Sequence, residues 1–288
     1  MRDLLSSPVL SALPMRSSNK KSRSKSKSKS TSKNSSSRGA LAVATAAVVL
    51  SLAGCAFLPG GGSAVATGER PEGFVALKSV APGIAQDLRN QGSNNLLGRP
   101  LAGYEAPVCL LTTPAAKALQ AVQASVQRHG LALKVFDCYR PQAAVDDLLR
   151  WSRDTRPQAD EQKTQSAYHP NLAKAKLEQR GFITPQSSHS RGSAVDLTLV
   201  VTDAVRAAQV LQGPLAQRED VDMGTPYGLM DPSALGHSDA VSPDVKHNRA
   251  WLRGQMQLHG LVPEDGRWWH YRLQKEPHPK QAFDFPVR

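Results

Sequence analysis

The chain has 288 residues, 40% of them apolar, and a formal charge of +12. That length holds one large domain or two small ones, and the apolar share suits a globular body. The charge suggests nucleic acid until it is located: residues 1–54 hold ten Lys and Arg against one acid, Asp3, leaving 26 basic and 23 acidic residues elsewhere. A body so nearly balanced has no broad cationic face, so a nucleic-acid-binding reading loses most of its support.

In chain order, the first segment is the basic run "SNKKSRSKSKSKSTSKNSSSR", which has nothing apolar to bury and is expected to be disordered. An apolar run of about 14 residues follows, short of the roughly 20 needed to span a bilayer. Basic flank, short apolar stretch and small residues together predict a secretory signal over residues 1–54, with translation starting at Met1 or Met15. Leu52-Ala53-Gly54-Cys55 resembles a bacterial lipobox, which would make Cys55 a lipidated N-terminus. The implied location is the periplasm, anchored to a membrane. Ala56 gives no inner-membrane retention signal of the aspartate kind, which favours the outer membrane. Residues 55–72, rich in Gly, Pro and small side chains, predict a flexible tether. Cys109 and Cys138 then stand in an oxidising compartment, either as a disulfide or as two small buried apolar residues.

Residues 73–288 predict one compact α+β domain. A short apolar strand at 106–112 precedes a helix over 113–130, with Ala115, Leu119, Val122 and Val126 at helical spacing, Pro114 near its start and Gly130 at its end. Alternation predicts a strand over 131–141, and amphipathic spacing a helix over 142–154. A β-branched strand at 194–201 and a helix at 248–260 follow.

Two stretches carry chemistry. In "SSHSRGSAVDLTL", residues 187–199, His189 and Asp196 flank Gly192, a bend that lets an imidazole and a carboxylate converge. In "GRWWHY", residues 266–271, His270 sits beside two tryptophans. Two histidines and one carboxylate suit a zinc ion with one position left for water, but spacing alone is weak evidence, since a lone His is more often a surface or hydrogen-bonded residue.

"SSHSRGSAVDLTL" resembles the SxHxxGxAxD motif of zinc D-alanyl-D-alanine peptidases, including the VanX-type dipeptidases. Further stretches resemble the dipeptidases in the same order: "PVCLL", "FDCYRP", "DMGTPYGLMD", "NRAWLRGQMQLHGL", "WWHY" and "FDFPV". The resemblance covers roughly residues 73–288. It implies an antiparallel sheet flanked by helices and hydrolysis of D-alanyl-D-alanine or a related D-dipeptide in cell-wall turnover. It implies one zinc ion on His189, Asp196 and His270. Arg140 would face the developing oxyanion, and Ser187 and Tyr139 would contact substrate. The family's base is a glutamate three residues before the last histidine, where this chain has Arg267. Arginine has no acceptor and does not deprotonate, so either another acid serves as base or weak activity persists through zinc and Arg140 alone. Glu264 is the first candidate for that acid and Asp265 the second. The alternative is a lipid-anchored, catalytically degenerate homologue that binds peptidoglycan or D-dipeptides.

Overall fold

The computed structural model describes residues 65–288 apart from Ala159 and Asp265. The signal-like segment, Cys55 and Asp265 therefore lie outside the described residues. The first elements are β1 (Val65–Thr67), β2 (Phe74–Ala76), α1 (Leu77–Val80), β3 (Ala85–Gln86), β4 (Leu110–Thr112), α2 (Thr113–Gln127), β5 (Leu131–Asp137) and α3 (Gln142–Arg153). Then come α4 (Glu161–Tyr168), β6 (Ala194–Val201), α5 (Ala204–Ala207), α6 (Pro243–Leu258), β7 (Leu261–Pro263), β8 (His270–Leu273) and β9 (Ala282–Asp284).

Five strands form the main sheet in the order β3-β5-β6-β8-β7. All its pairings are antiparallel except β3 with β5. This matches the expected α+β class. Strand alternation sends successive side chains to opposite faces. On β6, Val195, Leu197, Leu199 and Val201 enter the main core, where Leu119, Val122 and Val126 of α2 and Leu252 and Met256 of α6 meet them. Each such leucine or valine, taken fully out of water, contributes roughly 1.5–3 kcal/mol. A second apolar cluster gathers Val145, Leu148 and Trp151 of α3 with Leu96, Tyr168 and Ile183. A third gathers Phe74, Tyr139, Phe283 and Phe285.

Element edges differ from the sequence expectation for local reasons. α2 stops at Gln127, and the chain reverses through Gly130 at φ 69°, where a Cβ would press on the backbone of Asp203. α6 begins at Pro243, five residues earlier than expected, because the Ser242 hydroxyl accepts a hydrogen bond from Val245 N and Pro243 suits a first helical turn. The tether 55–72 is corrected at its end: Val65–Thr67 pairs in parallel with Ala282–Asp284. Cys109 and Cys138 form a disulfide.

Candidate metal centre and active site

Asp137, Asp196 and His270 are register partners across β5, β6 and β8. Because Val195 and Leu197 point into the core, Asp196 points out of the other face, and its cross-strand neighbour His270 does the same. Asp137 would follow Val135 to the core face but for a bulge between them that re-aims it. His189 comes from a short 3₁₀ turn, Ser188–Arg191, capped by the Ser187 hydroxyl and ended by Gly192 at φ 74°. A Cβ on Gly192 would run into the ring of Phe74, so this bend requires glycine.

His189 Nε2 lies 3.2 Å and His270 Nδ1 2.7 Å from Asp196 Oδ1. One ligand atom from each of these buried residues falls within 4.8 Å of the others. The far nitrogens are held as a metal ligand's should be. His189 Nδ1–H donates to the Cys138 carbonyl at 2.6 Å, which leaves the Nε2 lone pair facing inward. His270 Nε2–H faces Ser188 Oγ at 3.2 Å and Glu264 Oε2 at 3.4 Å, which leaves its Nδ1 lone pair facing inward. Tyr227 donates to Asp196 Oδ2 at 3.0 Å. Burial works against the Asp196 charge, yet when the inward nitrogens of the two imidazoles carry protons their charge and hydrogen bonds hold its pKa well below the carboxylate range; a bound cation would take the place of those protons. Two neutral imidazoles and one carboxylate, each oriented from behind, fit a zinc ion with an open fourth position.

The disulfide ties the end of β5 to the segment entering β4, directly behind the carbonyl that orients His189. Arg140 follows two residues later and lines the cavity that the three ligands face. Its Nε and Nη2 donate to Asp137 at 2.9 and 2.6 Å, and Tyr104 donates to the same carboxylate. Burial opposes the Arg140 charge, but Asp137 beside it holds the pKa above the ordinary guanidinium value. Arg140 is thus paired with Asp137 and at the same time lines the cavity.

Ser187 lines the cavity, as does Arg267. Tyr139 is a correction. It lies in the third apolar cluster, 1% exposed, and its hydroxyl donates to the Phe285 carbonyl and accepts from Phe285 N. That leaves it nothing for a substrate, and the tyrosine at the metal centre is Tyr227, which arrives from a loop 31 residues downstream of Asp196. Glu264 sits at the Nε2 edge of His270, the edge turned away from His189 and Asp196. Arg272 Nε donates to it at 2.7 Å, and burial, which raises its pKa, is outweighed by His270, Ser188 and Arg191, which bring it to about 2.

Trp268 and Trp269 are buried and pack edge to face, 5.2 Å apart. Trp269 meets the Tyr227 ring and Trp268 Nε1 donates to Thr225, so both hold the Tyr227 loop against β8. Arg249, which sequence reasoning missed, fixes the same loop from α6 through the carbonyls of Met223, Ser233 and Leu235. A buried arginine serving three backbone carbonyls has no sequence pattern of its own.

A model of the D-ala-D-ala dipeptidase family matches residues 70–288. The D-alanyl-D-alanine dipeptidase of Streptomyces coelicolor is 36% identical over 74% of this chain and 98% of its own length. Those of Enterococcus faecalis and Enterococcus faecium are 34% and 32% identical over 75% of this chain and 98% of theirs. A solved VanY D,D-pentapeptidase mutant in complex with Zn(II) aligns over 61% of this chain and 78% of that one, at 15% identity and a TM-score of 0.32, a likeness too slight to carry weight.

Proposed function

From the premise that the chain belongs to the D-Ala-D-Ala dipeptidase family and is a zinc metallopeptidase, we propose that it hydrolyses D-alanyl-D-alanine or a related D-dipeptide in cell-wall turnover. The carrying observation is the convergence of His189, Asp196 and His270, with both far nitrogens already spent on acceptors. Zinc bound there supplies Lewis-acid polarisation of the scissile carbonyl and a water of lowered pKa.

The chain's own residues do the rest. Arg140, its fork set by Asp137, offers fixed charged donors to the oxyanion that develops as water adds. Ser187 lines the substrate's path. Tyr227 keeps the second oxygen of Asp196 from turning away. Glu264 orients His270 through Nε2 instead of acting as the base, because it faces the wrong edge of the ring. Asp265, the other acid that the sequence offers for this role, is then the candidate proton acceptor. Replacing Asp265 by Asn should lower turnover about 10²–10⁴-fold at saturating zinc.

The test of the reaction is D-alanine released from D-Ala-D-Ala by zinc-loaded protein, with L-Ala-L-Ala and a His189→Ala variant as controls. Release no greater than that of the variant would overturn the reading. Arg267 at the cavity favours a second one, a binding homologue that no longer turns over. A large gain of activity in Arg267→Glu would support it.

The export signal and Cys55 support lipid anchoring in the periplasm, and the Cys109–Cys138 disulfide suits an oxidising compartment. Radiolabelled fatty acid should enter the full chain and be absent from Cys55→Ala.

A further inference from the structure

The edge of His270 turned away from the other two ligands meets a closed ring of four charges. Arg191 ends the 3₁₀ turn that carries His189, and Arg272 stands two residues after His270 on β8. Glu264 follows β7 and Glu276 follows β8. Arg191 Nε and Nη2 donate to the two oxygens of Glu276 at 2.7 and 2.9 Å. Arg272 Nη1 donates to Glu276 Oε1 at 3.5 Å, and its Nε donates to Glu264 Oε1 at 2.7 Å. Arg191 Nη2 lies 3.8 Å from that same Glu264 oxygen, which closes the ring. Cations and anions alternate around it, so each arginine serves both glutamates. None of the four lines the cavity that the ligands face.

The two glutamates differ in what they hold. Glu264 reaches His270 Nε2. Glu276 bonds to the two arginines and to none of the ligands, yet it is the most buried of the four side chains, 4% exposed against 20–31% for the others. A carboxylate so deep is stable only while it stays paired. Its two-oxygen fork with Arg191 fixes the plane of that guanidinium as well as its distance, which a single-point contact does not. On one side the grip steadies the turn that presents His189, and on the other the strand that presents His270. The backbone adds one bond nearby, Leu273 N to the Ser193 carbonyl at 2.8 Å.

We propose that Glu276 is a positioning residue for the metal centre: by holding Arg191 and Arg272 at once, it ties the His189 turn to the His270 strand and keeps two ligands at one spacing. Glu264, seated by the same arginines, passes that order on to the His270 ring. The proposal rests on His189, Asp196 and His270 as the ligands. Glu276 stands outside the cavity, so its loss changes how tightly the ion is held and how it is coordinated, while KM at saturating metal stays near the wild-type value.

The test is Glu276→Gln, which keeps the size of the side chain and removes its charge. Zinc affinity of the full-length protein is read by competition with a chromophoric chelator. Ligand geometry is read from the visible absorption of the cobalt(II)-substituted protein, and stability from the Tm of the metal-free protein. Partners directly behind a metal-bound histidine are worth about 10–100-fold in metal affinity, and Glu276 acts one residue further out. The expected result is therefore zinc binding weakened about tenfold, with an altered cobalt spectrum. Glu276→Asp keeps the charge but shortens the reach, and should shift both readouts in the same direction by less. It serves as the second variant should Glu276→Gln fail to fold. Zinc affinity within about twofold of wild type and an unchanged cobalt spectrum in the folded variant, even with a lowered Tm, overturn the proposal and leave the ring a purely structural device. A wild type that takes up no zinc overturns the ligand assignment beneath and this proposal with it.

Discussion

Replacing Glu264 by alanine separates two roles that a carboxylate near a zinc ligand can play. The side chain lies 3.4 Å from His270 Nε2, and Ser188 Oγ shares that nitrogen at 3.2 Å. Losing a partner behind a metal-bound histidine lowers metal affinity about 10–100-fold. Because the contact is long and shared, the loss belongs at the lower end, about tenfold or roughly 1.4 kcal/mol. Turnover at saturating zinc should stay within about threefold, since nothing in the reaction draws a proton to this edge of the ring. A general base behaves oppositely, with turnover falling about 10²–10⁴-fold and metal affinity untouched. Zinc affinity is read by competition with a chromophoric chelator, and turnover by D-alanine release at saturating zinc. A hundredfold loss of turnover with unchanged zinc affinity would refute the assignment and restore Glu264 as the base.

Three further outcomes follow from the same geometry. Arg140→Lys keeps the charge but not the fork that Asp137 holds, and should lower kcat about 10²–10³-fold while zinc content stays at the wild-type level. Tyr227→Phe removes the donor on Asp196 Oδ2 and should weaken zinc binding about tenfold, measured by the same competition. Replacing Cys109 and Cys138 together by alanine opens a loop with a sequence separation of 29, worth about 3.5 kcal/mol of chain entropy. Thermal denaturation should show a Tm lower by roughly 7–14 °C, and reductant should lower the wild type but not the variant.

Much of the site could be read from the chain because its parts lie close in sequence. Residues 187–196 carry two ligands, the capping serine and the glycine bend in a single run, and β6 follows at the boundaries that β-branched alternation predicts. The rest depends on pairings that no local pattern encodes. The bulge at Phe136 turns Asp137 to the site, yet alternation along 131–137 gives no hint of it. The family resemblance implies Tyr139 as a substrate contact, but its hydroxyl goes to the backbone of Phe285, 146 residues away. Tyr227 and Arg249 act across the fold on partners that hydropathy does not register. The place of Glu264 in the chain suggests a base, and only the orientation of the His270 ring shows which nitrogen it meets. The short strands β1, β2 and β3 have two or three residues each, too few for alternation to show.

The claim beneath all of this is that His189, Asp196 and His270 together hold one zinc ion. Elemental analysis of the purified, dialysed full-length protein tests it directly. The account predicts about one zinc per chain in the wild type and less than about a tenth of that in His189→Ala, Asp196→Ala and His270→Ala, each shown to be folded by circular dichroism. Near-stoichiometric zinc in any of the three folded variants would contradict it.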